Sequence, residues 1–124
     1  MSGWDPLPYY PNNLAAQLAE SEEVEKADAF FRTALELAPD AACLNYNYGT
    51  FLVKQLRDAE ALAHLDRAIH AGWDDADAWV NRGVALSRLD RGQEARESFE
   101  TALERDPSNR EARGNLRKIG ETQR

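Results

Sequence analysis

Laid against itself, the 124-residue chain repeats with a period of 34, and that period constrains the fold more than any other feature. Residues 8–41, 42–75 and 76–109 align without a gap. A small residue returns at Ala15, Gly49 and Gly83, and alanine returns at Ala27, Ala61 and Ala95 and again at Ala34, Ala68 and Ala102. Large apolar residues return at Leu18, Leu52 and Leu86, at Phe31, Leu65 and Phe99, and at Leu35, Ile69 and Leu103. Within each repeat these columns fall at i, i+3, i+4 and i+7 in two blocks, which predicts two amphipathic helices per repeat. The small residues let the two helices approach, and the large ones fill the space between them.

Breaks in the pattern agree with that division. Asp90-Arg91-Gly92 interrupts repeat three between its blocks, and Pro39 and Asp106-Pro107 end the second helices of repeats one and three. In repeat two Trp73 holds the proline column and follows Gly72, which suits a left-handed helix C-cap. Repeat one has Pro11 in the column of Trp79, where a first-turn proline is harmless. The predicted helices span about 10–20, 23–37, 42–55, 58–71, 76–89, 92–105 and 110–119, seven in an all-α chain.

The length of the repeat, its two-helix division and its small, alanine, aromatic, alanine and proline columns resemble the tetratricopeptide repeat (TPR) family. The resemblance covers 8–109, and 110–120 (REARGNLRKIG) begin a fourth repeat that stops after one helix. It implies a right-handed superhelical stack of helix-turn-helix pairs: an N-terminal extension over 1–7, repeats at 8–41, 42–75 and 76–109, and a capping helix and tail over 110–124. Arg113, Arg117 and Lys118 are expected on the polar outer face of that cap.

Charge and cysteine usage exclude several functions. A net charge of -7 argues against a phosphate-backbone binder or an anionic membrane partner, so neither nucleic acid nor membrane is expected. Cys43 is the only cysteine, which removes disulfide frameworks and paired-cysteine metal sites. The N-terminus MSGWDPLPYYPNN lacks the basic flank and apolar run of a signal peptide, and a cytosolic protein is expected. Twelve arginines against three lysines suggest a bacterial source by composition.

Candidate chemistry is sparse. His64 and His70 stand six apart, about 240° around a helix axis, and do not chelate one ion as an i, i+4 pair does. Cys43 begins a first helix, where a thiol pKa can fall, but no His or Lys lies near it in sequence to activate it. The acidic run Glu20-Ser21-Glu22-Glu23-Val24-Glu25 reads as a turn and solvated helix start, without the capping-box spacing. Phosphate-binding loops, HExxH and EF-hand loops are missing. No cofactor or metal and no enzymatic activity are expected.

The resemblance implies that first helices line a concave groove. Its lining here comprises Tyr46, Asn47, Thr50, Val53 and Lys54 in repeat two and Val80, Asn81, Val84 and Arg88 in repeat three. One column is uniform: Asn13, Asn47, Asn81 and Asn115 use four of the seven asparagines. Asparagine is a poor helix former, so its place in helix interiors needs a reason. A row of carboxamides can pair with an extended peptide backbone, or it can bond a neighbouring helix and fix the stacking. Tyr46, Val53, Val80 and Val84 form an expected apolar strip, flanked by Lys54 and Arg88. The carboxylate clamp for acidic chaperone tails matches only at Asn47, because its other columns hold Asn12, Ala16, Asp77 and Asn81.

These readings converge on an adaptor that binds a partner protein's peptide or helix. Self-association into a homo-oligomeric assembly part is the alternative. The register itself is testable: Ala95→Leu, in the crowded column between paired helices, should lower the melting temperature more than Ala63→Leu. Overpacking there costs about 1 to 3 kcal/mol. Equal thermal melts for the two variants contradict the register.

Overall fold

A computed structural model describes residues 12–122, and the side chains of 21–120. Among the described residues there are six helices and no strand: α1 (Asn12–Leu37), α2 (Ala42–Lys54), α3 (Asp58–His70), α4 (Ala76–Arg88), α5 (Gly92–Arg105) and α6 (Arg110–Thr122). The chain divides into two units, Met1–Thr33 and Ala34–Arg124. Within the first, Arg32 pairs with Asp28 at 2.8 Å one turn earlier, and the rings of Phe30 and Phe31 meet edge to face at 5.8 Å.

The count corrects the expected seven, because the helices predicted over 10–20 and 23–37 are one continuous helix, α1. The acidic run Glu20 to Glu25 lies inside that helix and is neither a turn nor an N-cap. The columns that turn the later repeats explain why. Leu56 and Asp90 both take φ of 61°, and the backbone then closes with Arg57 N–H to Leu52 C=O and Arg91 N–H to Leu86 C=O, each 2.9 Å. Arg57 and Arg91 each fork onto a glutamate three residues on, Glu60 and Glu94, at the start of α3 and α5. Repeat one carries Glu22, Glu23 and Lys26 in those places, with no basic fork ahead of a glutamate, and helix-compatible residues on either side.

In the second unit α2 packs on α3 and α4 on α5, and each pair is closed by a glycine. A Cβ placed on Gly49 meets Leu65 Cγ at 2.7 Å, and one on Gly83 meets Phe99 Cε1 at 2.6 Å, so only hydrogen fits at either crossing. Leu52, Leu65, Leu86 and Phe99 are fully buried there, with Ala61, Ala68, Ala95 and Ala102 beside them. Burial of a side chain such as Phe99 contributes roughly 1.5–3 kcal/mol. The column that holds Gly49 and Gly83 reaches Arg117 in α6, where the side chain is exposed.

Between pairs, α3 packs on α4 and α5 on α6, while α2 touches α4 and α4 touches α6. Ala112 is the fully buried residue of α6, and Arg113, Arg117 and Lys118 are exposed. Two entries are capped by side chains 34 residues apart: Asp75 accepts from Ala78 N–H at 3.0 Å, and Asn109 from Ala112 N–H at 2.9 Å. Gly72 ends α3 with φ of 108°, in the left-handed region proposed for it.

Leu56 is the misfit of this scheme, since a branched side chain in the left-handed region is strained and here it is 69% exposed. Leu56→Gly should therefore raise stability by roughly 0.5 kcal/mol, relief of strain exceeding the lost burial and the added chain entropy. Chemical denaturation of the two proteins measures it. A loss of stability shows that the exposed leucine packs against something that matters.

Candidate functional site

The expected groove residues fall on α2, α4 and α6, and the structure uses them in different ways. Asn13 lies in α1, but its side chain is outside the described residues. Asn47 is exposed, and its Nδ2 donates to Cys43 Sγ at 3.4 Å on the same helix. Asn81 Nδ2 donates across the repeats to Thr50 Oγ1 at 3.1 Å, tying α4 to α2. Asn115 Nδ2 donates to the Glu111 carbonyl at 2.9 Å, one turn back along α6. The column is therefore regular in position and irregular in bonding.

The apolar strip is divided as well. Val53 and Val80 are 7% and 1% exposed, so they serve packing and offer little surface. Val84 is half-buried and Lys54 exposed. Arg88, expected to flank the ligand, is committed elsewhere: its Nη1 donates to the Val53 carbonyl at 2.9 Å and to Asp58 at 3.1 Å. It thereby adds a second bond to a carbonyl that already accepts from Leu56 N–H at 3.1 Å at the end of α2.

Tyr46 is half-buried and stacks on Trp73, ring centroids 5.0 Å apart and 25° from parallel. Burial holds its hydroxyl pKa above the usual tyrosine value, helped by the carboxylates of Asp75 and Asp77 and opposed by a hydrogen bond with Thr50. Trp73 Nε1 is buried with no hydrogen-bond partner among the described residues. Sequence reading gave Trp73 only the duty of ending a helix. The missed signal was a large aromatic in a column that needs no more than proline.

Three polar assemblies were not legible at all. Asn45 is fully buried, donates to the carbonyls of Pro39 and Ala41 at 2.9 and 3.0 Å, and lies 2.9 Å from His64 Nδ1. Burial, with Arg67, lowers the His64 pKa, Glu60 opposing, while its ring meets Tyr48 edge on at 4.8 Å. Arg82 bridges Asp66 of α3 and buried Ser98 of α5, each at 2.6 Å. Asp74 accepts from Trp79 Nε1 and from both arms of Arg105, bonds that hold its carboxyl below the usual carboxylate range, the Arg105 contribution being the larger.

A cleft of about 470 Å³ opens where the turn between α4 and α5 faces α6, lined by Ser87, Asp90, Gln93, Asn115, Lys118 and Ile119 among others. Among the described residues no group of three or more His, Cys, Asp or Glu is disposed to hold a metal ion. No described helix is long and apolar enough to cross a membrane.

The bonding sets an order of stability for the asparagines. Asn81→Ala removes a half-buried cross-repeat bond worth about 0.5–1.5 kcal/mol and regains about 0.5 kcal/mol of helix propensity. Asn47→Ala loses only a weak, exposed bond to sulfur for the same gain. Thermal melts should place Asn47→Ala at or above wild type and Asn81→Ala at or below it. The reverse order contradicts the bridge between α4 and α2.

Comparison with known proteins gives this geometry a context. Residues 76–109 match the family model described as tetratricopeptide repeat. The chain is 30% identical over 102 residues to RNA polymerase II-associated protein 3 of Xenopus laevis, 82% of this chain and 16% of that protein. It spans between 11% and 16% of the length of the curated relatives it matches. Among solved structures, YrrB, described as a TPR protein with an unusual peptide-binding site, is 31% identical with a TM-score of 0.71, covering 90% of this chain and 57% of that one. The second TPR domain of human RPAP3, solved with the HSP70 peptide SGPTIEEVD, is 25% identical with a TM-score of 0.73, covering 88% and 91%. These matches support a TPR family for the chain.

Proposed function

We propose that this chain, read as a member of the TPR family, holds an extended peptide segment of another protein across α2, α4 and α6. The observation that carries the reading is the row Asn47, Asn81 and Asn115 on three helices that touch in sequence, with the half-buried ring of Tyr46 beside it. Helix-interior asparagines have low intrinsic favour, and Asn47 makes only a weak bond to sulfur, so its carboxamide is available to a ligand. Peptide complexes of similar domains, such as that of human RPAP3, make the class of partner reasonable. In this reading residues 8–41, 42–75 and 76–109 act as the repeats, and α6 closes the stack.

The ligand differs from the acidic peptide bound by that relative. Asn12, Ala16, Asp77 and Asn81 stand in four clamp columns that call for other residues, and Asp77 adds a negative charge where an acidic tail needs a cation. Affinity in the micromolar range, on the order of that of modest grooves, is expected. The proposed setting is the cytosol of a bacterial cell, where a single exposed thiol, Cys43, stays reduced.

Calorimetric titration of a partner segment identified by affinity capture is the test. Asn47→Ala should weaken binding by about 0.5–1.5 kcal/mol while its melting temperature holds. Unchanged affinity removes the asparagine row from the site. Light scattering that finds concentration-dependent oligomers of the isolated chain favours self-association instead.

A further inference from the structure

The bonding of the carboxamides leaves an open acceptor on each of them. Asn115 Nδ2 donates to a backbone carbonyl, which only accepts. Asn81 Nδ2 donates to the Thr50 hydroxyl oxygen, which accepts at 3.1 Å. Asn47 Nδ2 points to Cys43 Sγ. In each case one of the two amide protons is spent on the protein, while Oδ1 has no donor among the described residues and keeps both lone pairs. Open acceptor sites therefore outnumber the remaining N–H groups along the row, which favours donors in a ligand.

Asp77 adds charge to that selection. It precedes Asn81 by four residues on α4, so the two share a face with Cβ atoms about 5–6 Å apart. It is exposed, and no cation pairs with it among the described residues. The neighbouring arginines are committed, Arg88 to Val53 and Asp58, Arg82 to Asp66 and Ser98, and Arg105 to Asp74. Lys54 and Lys118 stand toward the C-terminal ends of α2 and α6, beyond Thr50 and beyond Asn115, whereas Asp77 is in the first turn of α4. Tyr46 stands four residues before Thr50 on α2, the acceptor of Asn81 Nδ2, which places the aromatic ring in the same neighbourhood.

We infer that the partner segment is basic and presents an arginine or lysine side chain to Asn81 Oδ1 and the Asp77 carboxylate, beside the ring of Tyr46. The inference rests on the adaptor reading and narrows it to one class of peptide. A guanidinium brings five donors in a planar fork, matched to an amide oxygen and a carboxylate on one helix face, and its plane suits an aromatic neighbour.

Fluorescence anisotropy tests it with three labelled, acetylated and amidated peptides, in which alanine alternates with arginine, glutamine or glutamate, at physiological salt. The arginine peptide should bind most tightly, and Asp77→Asn should weaken it about three- to tenfold. Glu100→Gln removes the same charge from an exposed site on α5 and should leave affinity within about twofold. Equal losses in the two variants identify general attraction to an acidic protein and overturn the inference. Tighter binding of the glutamate or glutamine peptide, weakened by Asn81→Ala, overturns it and leaves the adaptor reading intact. If none of the three binds, the inference fails, and the adaptor reading is decided separately by the Asn47→Ala titration.

Discussion

The close approach of paired helices at Gly49 and Gly83 is the constraint on which the second unit depends. With hydrogen in place of a side chain, Leu65 and Phe99 lie directly on the facing backbone, and the alanine columns let the rest of each pair follow. Because the pairs are thin, the first helices of neighbouring repeats touch, α2 with α4 and α4 with α6. A bulkier residue at either glycine forces the leucine or the phenylalanine aside and disturbs that contact too. The row of asparagines is a by-product of this geometry, since one residue per repeat returns to the same face only while the pairs keep their thickness.

Arginine supplies the second layer of order. Arg82 and Arg88 reach from α4 to the pair before it, and Arg105 reaches from α5 to the junction of α3 and α4. Exposed ion pairs of this kind add little stability individually. Their effect on the surface is larger, because cations spent between helices are withdrawn from the face that a partner meets. An arginine-rich chain thus shows acceptors on much of the face read as its groove.

How much of this was legible depended on whether a feature recurs. Helix pairs α2–α3 and α4–α5 could be read because glycine, alanine and leucine columns return every 34 residues. The unbroken α1 could not, since a break is made by the left-handed residue and the arginine fork, and glutamates at 22 and 23 carry no mark of their own. The asparagine column was visible as spacing, but the partner of Asn81 is Thr50, 31 residues away, and no periodicity reports such a bond. Buried Asn45 was hidden because its column holds Pro11, Asn45 and Trp79, three residues with no property in common. The burial of Val53 and Val80 was not legible because column number gives a direction from the helix axis and does not give the depth of the neighbouring helix.

The cross-pair reach of Arg82, Arg88 and Arg105 has a thermodynamic consequence for the unit spanning 34–124. A stack of identical modules joined only to neighbours behaves as a chain of weakly coupled steps, in which single modules can open. Here the packing of α3 on α4 and of α4 on α5 does most of the coupling and each arginine adds a small increment to it, so local fluctuations of α3, α4 and α5 are linked. Amide protons in those three helices should therefore exchange with one shared free energy, with α6, held from one side, opening below it. A partner laid along α2, α4 and α6 then meets an inner helix, α4, held between neighbours and an end helix, α6, freer to open, so the ordering entropy lost on the protein's side falls mainly on α6.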